Sequence, residues 1–327
     1  MNIKYQIQKD TLSQILGFYG ILDFEFQEAE GGVANTTVFV STNNQSFVLR
    51  VYRLNTQTDE EIFEEIEFLN FLKSKNLLVP NILPNSGGDY LTKVILSGIE
   101  WQVVLMPRIK GKTITNSQWL DPDFIKQIGI IQAQLHLAGV EFALVKSKLE
   151  YNRDLTAGGL GKMLKERLVE AKSLGLQDEN LLKILNGIQS LGQKYQPNLP
   201  AGYIHDDISG ENLLIDDQKG IYVIDFGDLR FGPLVSCLGS ILFVTLRIGY
   251  LGSQNTQELF NQYLLSYETI RVLTNEEMVE IKKVMIMNLE LFVVSEILNS
   301  KIITSYLEKL TNLKKKILKL KIKNKNL

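Results

Sequence analysis

The chain has 327 residues, 45% of them apolar and 22% charged, with a formal net charge of −2. This composition excludes collagen, low-complexity disorder and a disulfide scaffold, and the single cysteine, Cys237, has no partner for an internal disulfide, which suits a reducing cytoplasm. The small net charge conceals an asymmetry: Lys314 to Leu327 hold seven basic residues and no acid, leaving 28 basic against 37 acidic residues elsewhere, a balance of −9.

The opening MNIKYQIQKDTL has no apolar h-region, so no secretory signal is expected. Asn35 to Ser41 and Ser46 to Arg53 are β-branched and aromatic runs that predict two strands, joined by a turn at Thr42-Asn43-Asn44-Gln45. Asp59 to Lys75 reads as a helix, with Ile62, Ile66, Leu69 and Leu72 forming an apolar stripe. A hairpin around Asn85 to Asp89 leads to strands near Leu91–Leu96 and Trp101–Met106.

After Gly111 the pattern turns helical. Asp121-Pro122 marks a helix start, with Phe124, Ile128, Ile131 and Leu135 on one face. Further helices are expected over Gly161–Lys172 and Glu179–Tyr195, then short strands near Leu213–Ile215 and Tyr222–Ile224 around the turn Asp216 to Gly220. Leu234 to Leu246 is uncharged for thirteen residues. A bilayer-crossing helix needs about twenty, so a buried core helix is expected. Thr274 and Glu277 form a capping-box pattern ahead of another helix. In the tail, Tyr306, Leu310, Leu313, Ile317 and Leu320 recur at helical spacing among lysines. This suits a final helix docked on the fold, in preference to a membrane-surface or partner-binding helix.

The most informative stretch is Tyr203 to Pro233, YIHDDISGENLLIDDQKGIYVIDFGDLRFGP. Acids beside strand ends suit hard cations, which take oxygen ligands. One carboxylate and one amide oxygen can hold Mg²⁺ while leaving positions for phosphate oxygens. A second carboxylate can accept a hydroxyl proton. That inventory is what phosphoryl transfer requires. Asp216 and Asp217 read as hairpin-tip residues instead. Asp207, Asn212 and Asp225 lie in apolar surroundings, where an unpaired carboxylate is costly.

H-x-D-x-x-x-x-N followed by D-F-G resembles the aminoglycoside phosphotransferase / choline kinase family of kinase-like small-molecule phosphotransferases. The matching residues are His205, Asp207, Asn212 and Asp225-Phe226-Gly227. The resemblance implies an α+β, protein-kinase-like bilobal fold. Its small N-terminal nucleotide-binding lobe, residues 1–106, would hold an antiparallel sheet and one helix. A hinge at 107–111 would lead to a large, mostly helical catalytic and substrate-binding lobe at 112–327. Asp207 is then the catalytic base, Asn212 and Asp225 hold Mg²⁺, and ATP or GTP is the phosphoryl donor. Asp206 stands where the family usually has glycine and is given no separate role.

The same resemblance implies features elsewhere. Gly31, Gly32 and Asn35 match a loop over the phosphates. Arg50, in Val48-Leu49-Arg50-Val51, stands where kinases have lysine, and this is the main departure. Glu65 is the best partner for it among the acids Glu60, Glu61, Glu64 and Glu67 of a solvated helix face. In LMPRIKG, the Pro107 carbonyl and the Ile109 N–H are the hinge groups for a purine edge. His136 resembles the L-H of the first large-lobe helix, and both it and His205 are expected to make local core hydrogen bonds.

About eight residues separate Asp225 from Leu234, with no A-P-E and no arginine after His205. A peptide substrate needs a long segment there, so a small hydroxylated acceptor is expected. The acidic body favours a cationic one. The expected acceptor is amine-bearing: an aminoglycoside, an amino alcohol or a hydroxy-amino acid. D-F-G-D with H-D-D-I resembles the branch that includes hydroxylysine kinases. The alternative is a nucleotide-binding pseudokinase or scaffold, supported by Arg50 alone. No nucleic-acid partner is expected, and the compartment is cytoplasmic.

Overall fold

A computed structural model describes residues 7–29, 35–52, 57–96, 98–147, 169, 199–251, 256–300 and 304–320. Gly31 and Gly32, and the helices expected over Gly161–Lys172 and Glu179–Tyr195 apart from Val169, lie outside the described residues. The chain forms two compact units: Met1–Thr113 with Leu213–Gly227, and Ile114–Asn212 with Asp228–Leu327. The hairpin Leu213–Gly227 thus groups with the first unit, whereas the expected division placed it with the second.

In the first unit, strands β1 (Glu25–Glu28), β2 (Thr36–Ser41), β3 (Ser46–Tyr52), β4 (Thr92–Leu96) and β5 (Ile99–Pro107) form an antiparallel sheet in the order β1-β2-β3-β5-β4. The β2–β3 turn closes with Thr42 N–H donating to Gln45 O at 2.8 Å. One sheet face carries Val38, Val40, Leu49, Val51, Val103 and Leu105, all buried against Leu12, Ile15 and Leu16 of helix α1 (Lys9–Gly17). This helix is an addition to the one helix expected: its apolar residues occupy a single turn, too short for a periodic signal to stand out.

Helix α2 (Asp59–Ser74) is the expected one, and its boundary is set by a capping box between Thr58 and Glu61. Its stripe Ile62, Ile66, Leu69 and Leu72 is buried. The turn at Asn85 forms, with the Asn85 side-chain oxygen accepting from the N–H groups of Gly87 and Asp89, but it does not build a hairpin. Leu83 bridges to Leu105 of β5 instead, and β4 pairs antiparallel with β5. A second sheet joins β6 (Gly111–Thr113), β8 (Leu213–Asp216) and β9 (Ile221–Val223). Asp216 caps its hairpin tip by accepting from Gln218 N–H at 2.9 Å and Gly220 N–H at 2.7 Å, as a turn residue should.

The second unit is mostly helical: α3 (Asn116–Trp119), α4 (Pro122–Val145), α5 (Val235–Leu251), α6 (Thr256–Tyr267), α7 (Asn275–Ser300) and α8 (Thr304–Lys319). Strands β7 (Ala201–Ile204) and β10 (Arg230–Pro233) pair antiparallel. Asp121 caps α4 with Pro122 at its first position. α4 is long and apolar enough to cross a membrane, but its Phe124, Ile125, Ile128, Leu135 and Ala138 are buried within the fold. α5 is a core helix, with Val235, Leu238, Ile241, Leu242 and Leu246 buried. α8 packs on α7; its Leu313 and Ile317 are buried, as is Leu320 just beyond it, and Lys314 pairs with Glu290.

Candidate active site

Side chains alternate across β3, so Val48, Arg50 and Tyr52 share one face. Directly paired residues share it too: Phe39 and Met106 flank Val48, and Thr37 and Val104 flank Arg50. This is the face opposite α1. Arg50 is the only charged residue among them, and α2 supplies its counter-charge. Arg50 Nη1 donates to Glu65 Oε1 at 2.7 Å, and Nη2 donates to Asp225 Oδ1 at 2.9 Å. Glu65 is buried, unlike the exposed Glu60, Glu61 and Glu67 on the same helix. Its second oxygen accepts from Tyr52 OH at 3.3 Å. Burial pulls the Arg50 pKa down, but the neighbouring Glu65, Tyr52 and Asp225 outweigh it and hold the guanidinium above its ordinary value. Tyr52 is pushed up by burial and then by the charge of Glu65, so its hydroxyl stays protonated as a donor.

Asp225 follows β9 by one residue and has φ +62°, the left-handed region that costs a non-glycine residue about 1–3 kcal/mol. Its side chain is 55% exposed, in contrast to Glu65 at 3%. The next residue explains how the conformation is held. Phe226 is buried and packs edge-on against Phe68 of α2, ring centroids 6.1 Å apart. Gln57 Nε2 donates to the Gly227 carbonyl at 3.2 Å, and Asn35 Nδ2 reaches Gln57 Oε1 at 3.5 Å.

The hinge follows from the β3–β5 register. Arg108 N–H donates to Ser46 O at 2.8 Å, which makes the neighbouring pair Phe47–Pro107 the non-hydrogen-bonded one. Proline therefore costs no ladder bond there, and its carbonyl faces away from β3. That is the side on which Leu105 O accepts from Leu83 N–H. Ile109 lies in the connection between β5 and β6 and is half-buried. The Arg108 guanidinium covers the Phe39 ring at 4.2 Å.

In the second unit, β7 leads into the loop His205–Asn212. Asp207 is exposed, and its carboxylate is held from within the loop. Asn212 Nδ2 donates to both Asp207 Oδ2 and Asp207 O, each at 2.8 Å, which leaves the amide oxygen as the remaining acceptor of Asn212. Ile114 N–H donates to Gly210 O at 3.0 Å and holds the middle of the loop. His205 is buried, and its Nδ1 accepts from Asp207 N–H at 3.4 Å. Asp206 accepts from Arg230 Nε at 2.6 Å. His136 bridges Gln132 at 2.6 Å and Tyr267 at 2.7 Å, so it is a buried hydrogen-bonding histidine of the helical unit.

Each sequence-derived site residue among the described ones thus has a definite place. The first unit brings Arg50, Glu65 and Asp225 into one chain of charges, with Asn35 near it and Pro107 and Ile109 at the hinge. The second unit brings Asp207 and Asn212 together. Sequence reasoning missed Tyr52, although it lies two positions after Arg50 and therefore on its face of the strand. It also missed Gln57 and the Asp206–Arg230 pair, whose partners are distant along the chain. Among the described residues no group of three or more His, Cys, Asp or Glu side chains forms a metal cluster.

This combination defines a kinase-type phosphotransferase. Comparison with known proteins bears this out: the family described as "Phosphotransferase enzyme family" matches residues 25–271, and the chain belongs to it. A homoserine kinase of Methylobacillus flagellatus is 24% identical over 284 residues, covering 85% of this chain and 81% of that protein. The solved amicoumacin kinase hAmiN, in complex with AMP-PNP and Ca²⁺, superposes with a TM-score of 0.70 at 12% identity, covering 96% of this chain and 93% of that one. A microcompartment-associated aminopropanol kinase gives 0.60 at 19% identity, covering 95% of each. The fold is kinase-like, and the protein is a small-molecule kinase: an ATP-dependent phosphotransferase whose acceptor is an alcohol group.

Proposed function

We propose that this kinase phosphorylates the hydroxyl of a small amine-bearing molecule, with a hydroxy-amino acid such as L-homoserine as the first acceptor to test. The relatives named homoserine kinase point to that class. The acidic balance of the chain body favours amine-bearing acceptors with a net positive charge, so amino alcohols and aminoglycosides belong in the same test. The observation that carries phosphoryl transfer is the Glu65–Arg50–Asp225 chain. It couples a buried helix glutamate, a strand cation and the aspartate of D-F-G.

The roles divide as follows. The face bearing Phe39, Val48 and Met106 receives the purine, with the Pro107 carbonyl and Ile109 N–H reading its edge. Those hinge groups are backbone atoms; ATP is the donor, and GTP presents a different edge to them. Arg50, oriented by Glu65, binds phosphate oxygens together with Asn35 and the glycines Gly31 and Gly32. Asn212 and Asp225 hold Mg²⁺. Their donor set fits that ion, being all oxygen, with an exposed carboxylate and an amide oxygen left over from the bond to Asp207. Bound Mg²⁺ supplies charge neutralisation at the phosphates. Asp207, held by Asn212, orients the acceptor hydroxyl and takes its proton. The enzyme works in the cytoplasm.

The test is a phosphorylation screen with Mg-ATP against L-homoserine, amino alcohols and aminoglycosides, with the Asp207→Asn variant as control. Acceptor-dependent ADP release by the wild type, lost in the variant, is the expected result. Nucleotide binding with no transfer to any hydroxylated amine would favour a pseudokinase.

A further inference from the structure

β7 is seated directly on helix α4. An added Cβ on Gly139 of α4 would meet Tyr203 O at 2.0 Å, so helix and strand backbones are in direct contact. Tyr203 packs against Phe142 of α4 and Phe231 of β10, with centroids at 4.9 and 5.7 Å. Ile204 buries against Leu234 and Cys237. The strand ends there, and the chain continues through His205 and Asp206 to Asp207.

Register pairs Arg230, the first residue of β10, with Ile204, the last of β7. From there the Arg230 side chain reaches two residues further along the loop and donates from Nε to Asp206 Oδ2 at 2.6 Å. The two side chains are 21% and 16% exposed, so the pair is mostly shielded from solvent. A charge-assisted bond of this kind is strong and directional. It holds the peptide unit immediately before Asp207, while Asn212 holds the Asp207 carboxylate from the other side.

We infer that Asp206 and Arg230 are positioning residues for phosphoryl transfer: a permanent tether that fixes Asp207 by joining its loop to the strand after Asp225-Phe226-Gly227. This rests on the proposed role of Asp207. In protein kinases the segment after D-F-G is ordered by new pairs between arginine and an added phosphate. Here the arginine already has an encoded carboxylate, so the loop is set without modification. That accounts for an acid where the family usually has glycine.

The test uses the full chain with Asp206→Asn, Arg230→Gln, the double variant and Asp207→Asn, reading ADP release from Mg-ATP with L-homoserine and with water alone as acceptor. Displacing a reacting group by about 1 Å costs on the order of 100-fold in rate. Each single variant should therefore lower kcat about 10- to 100-fold and leave KM for ATP unchanged. Each should also lower Tm, because a shielded charge-assisted bond is lost while one of its two charges remains. In the double variant neither charge of this pair remains, so Tm should recover at least in part while kcat stays low. Wild-type kcat in Asp206→Asn, or kcat that recovers together with Tm, would overturn the inference while leaving the base assignment intact. Wild-type turnover in Asp207→Asn would overturn the base assignment itself, and the tether with it.

Discussion

Arg50 Nη2 donates to Asp225 Oδ1 at 2.9 Å, so one side chain joins a strand cation to the aspartate of D-F-G. Its other terminal nitrogen is committed to Glu65. A guanidinium can serve both carboxylates at once because its nitrogens diverge in a rigid fork; an ammonium is a single point. The two bonds differ in worth. Glu65 is shielded from solvent and cannot be left alone, whereas Asp225 is half exposed and screened. Arg50→Met should therefore destabilise the protein by about 3 kcal/mol in urea unfolding, chiefly by taking the counter-charge away from the buried Glu65. Arg50→Met combined with Glu65→Leu should regain most of that loss. An Arg50→Met variant as stable as wild type would contradict this account of the pair.

Asp207 and Asp225 should separate stability from activity. Both side chains are largely exposed, so removing either charge should leave the urea midpoint close to wild type. Asparagine also tolerates the left-handed backbone at position 225 better than most residues. Loss of general-base function typically costs 10²- to 10⁴-fold, so Asp207→Asn should lower kcat by about that factor. Asp225→Asn should weaken Mg-ATP binding as well, read by calorimetry in the absence of any acceptor. Asp225→Ala should cost additional stability that Asp225→Asn does not, because alanine fits the positive φ less well.

The catalytic motif was legible because its residues lie close together in sequence, and each residue type has a chemical reason. Helix α2 was legible because four apolar residues repeat over three turns; the Thr58–Glu61 capping box that sets its start was seen only in the structure. The identity of Glu65 as the Arg50 partner was legible only through the family resemblance, since five glutamates crowd that helix and burial alone distinguishes one. Asp206–Arg230 was illegible for a different reason. The two residues are 24 positions apart, and nothing in either local pattern says that β7 and β10 pair. The placement of the Leu213–Gly227 hairpin was hidden likewise, because it depends on β6 pairing with β8 across about a hundred residues.

Gly139 makes a packing prediction. Its α-carbon sits where α4 meets β7, with the Tyr203 carbonyl in the space a side chain would fill. Gly202 faces it across the same contact. Alanine at 139 must push the helix off the strand, and overpacking of this kind costs about 1–3 kcal/mol or more. Because β7 leads straight into the Asp207 loop, Gly139→Ala should also lower kcat disproportionately to its effect on Tm. Proton-exchange protection of the β7 amides should fall in the same variant; unchanged protection and kcat would show that the contact can relax.

His136 makes a pH prediction. Burial, and then the nearby Arg271, hold its pKa well below the ordinary value of 6.5. Tyr267 OH contacts its Nδ1 and also accepts from Arg271 Nη1 at 2.9 Å, and Arg271 is in turn clamped by Glu277 at 2.9 and 3.0 Å. The imidazole is thus neutral in the folded protein. A folded-state pKa depressed below the unfolded one means that the unfolded chain binds the extra proton first. The contribution of this histidine to stability is therefore fully present above about pH 6.5 and falls as pH drops below it, by at most about 1.4 kcal/mol per unit. His136→Gln keeps a hydrogen-bonding side chain without a titrating ring. It should lower stability at pH 8 but flatten the decline between pH 6.5 and 5 relative to wild type, as measured by urea midpoints across that range. Parallel wild-type and variant profiles would mean that His136 is protonated without cost in the fold.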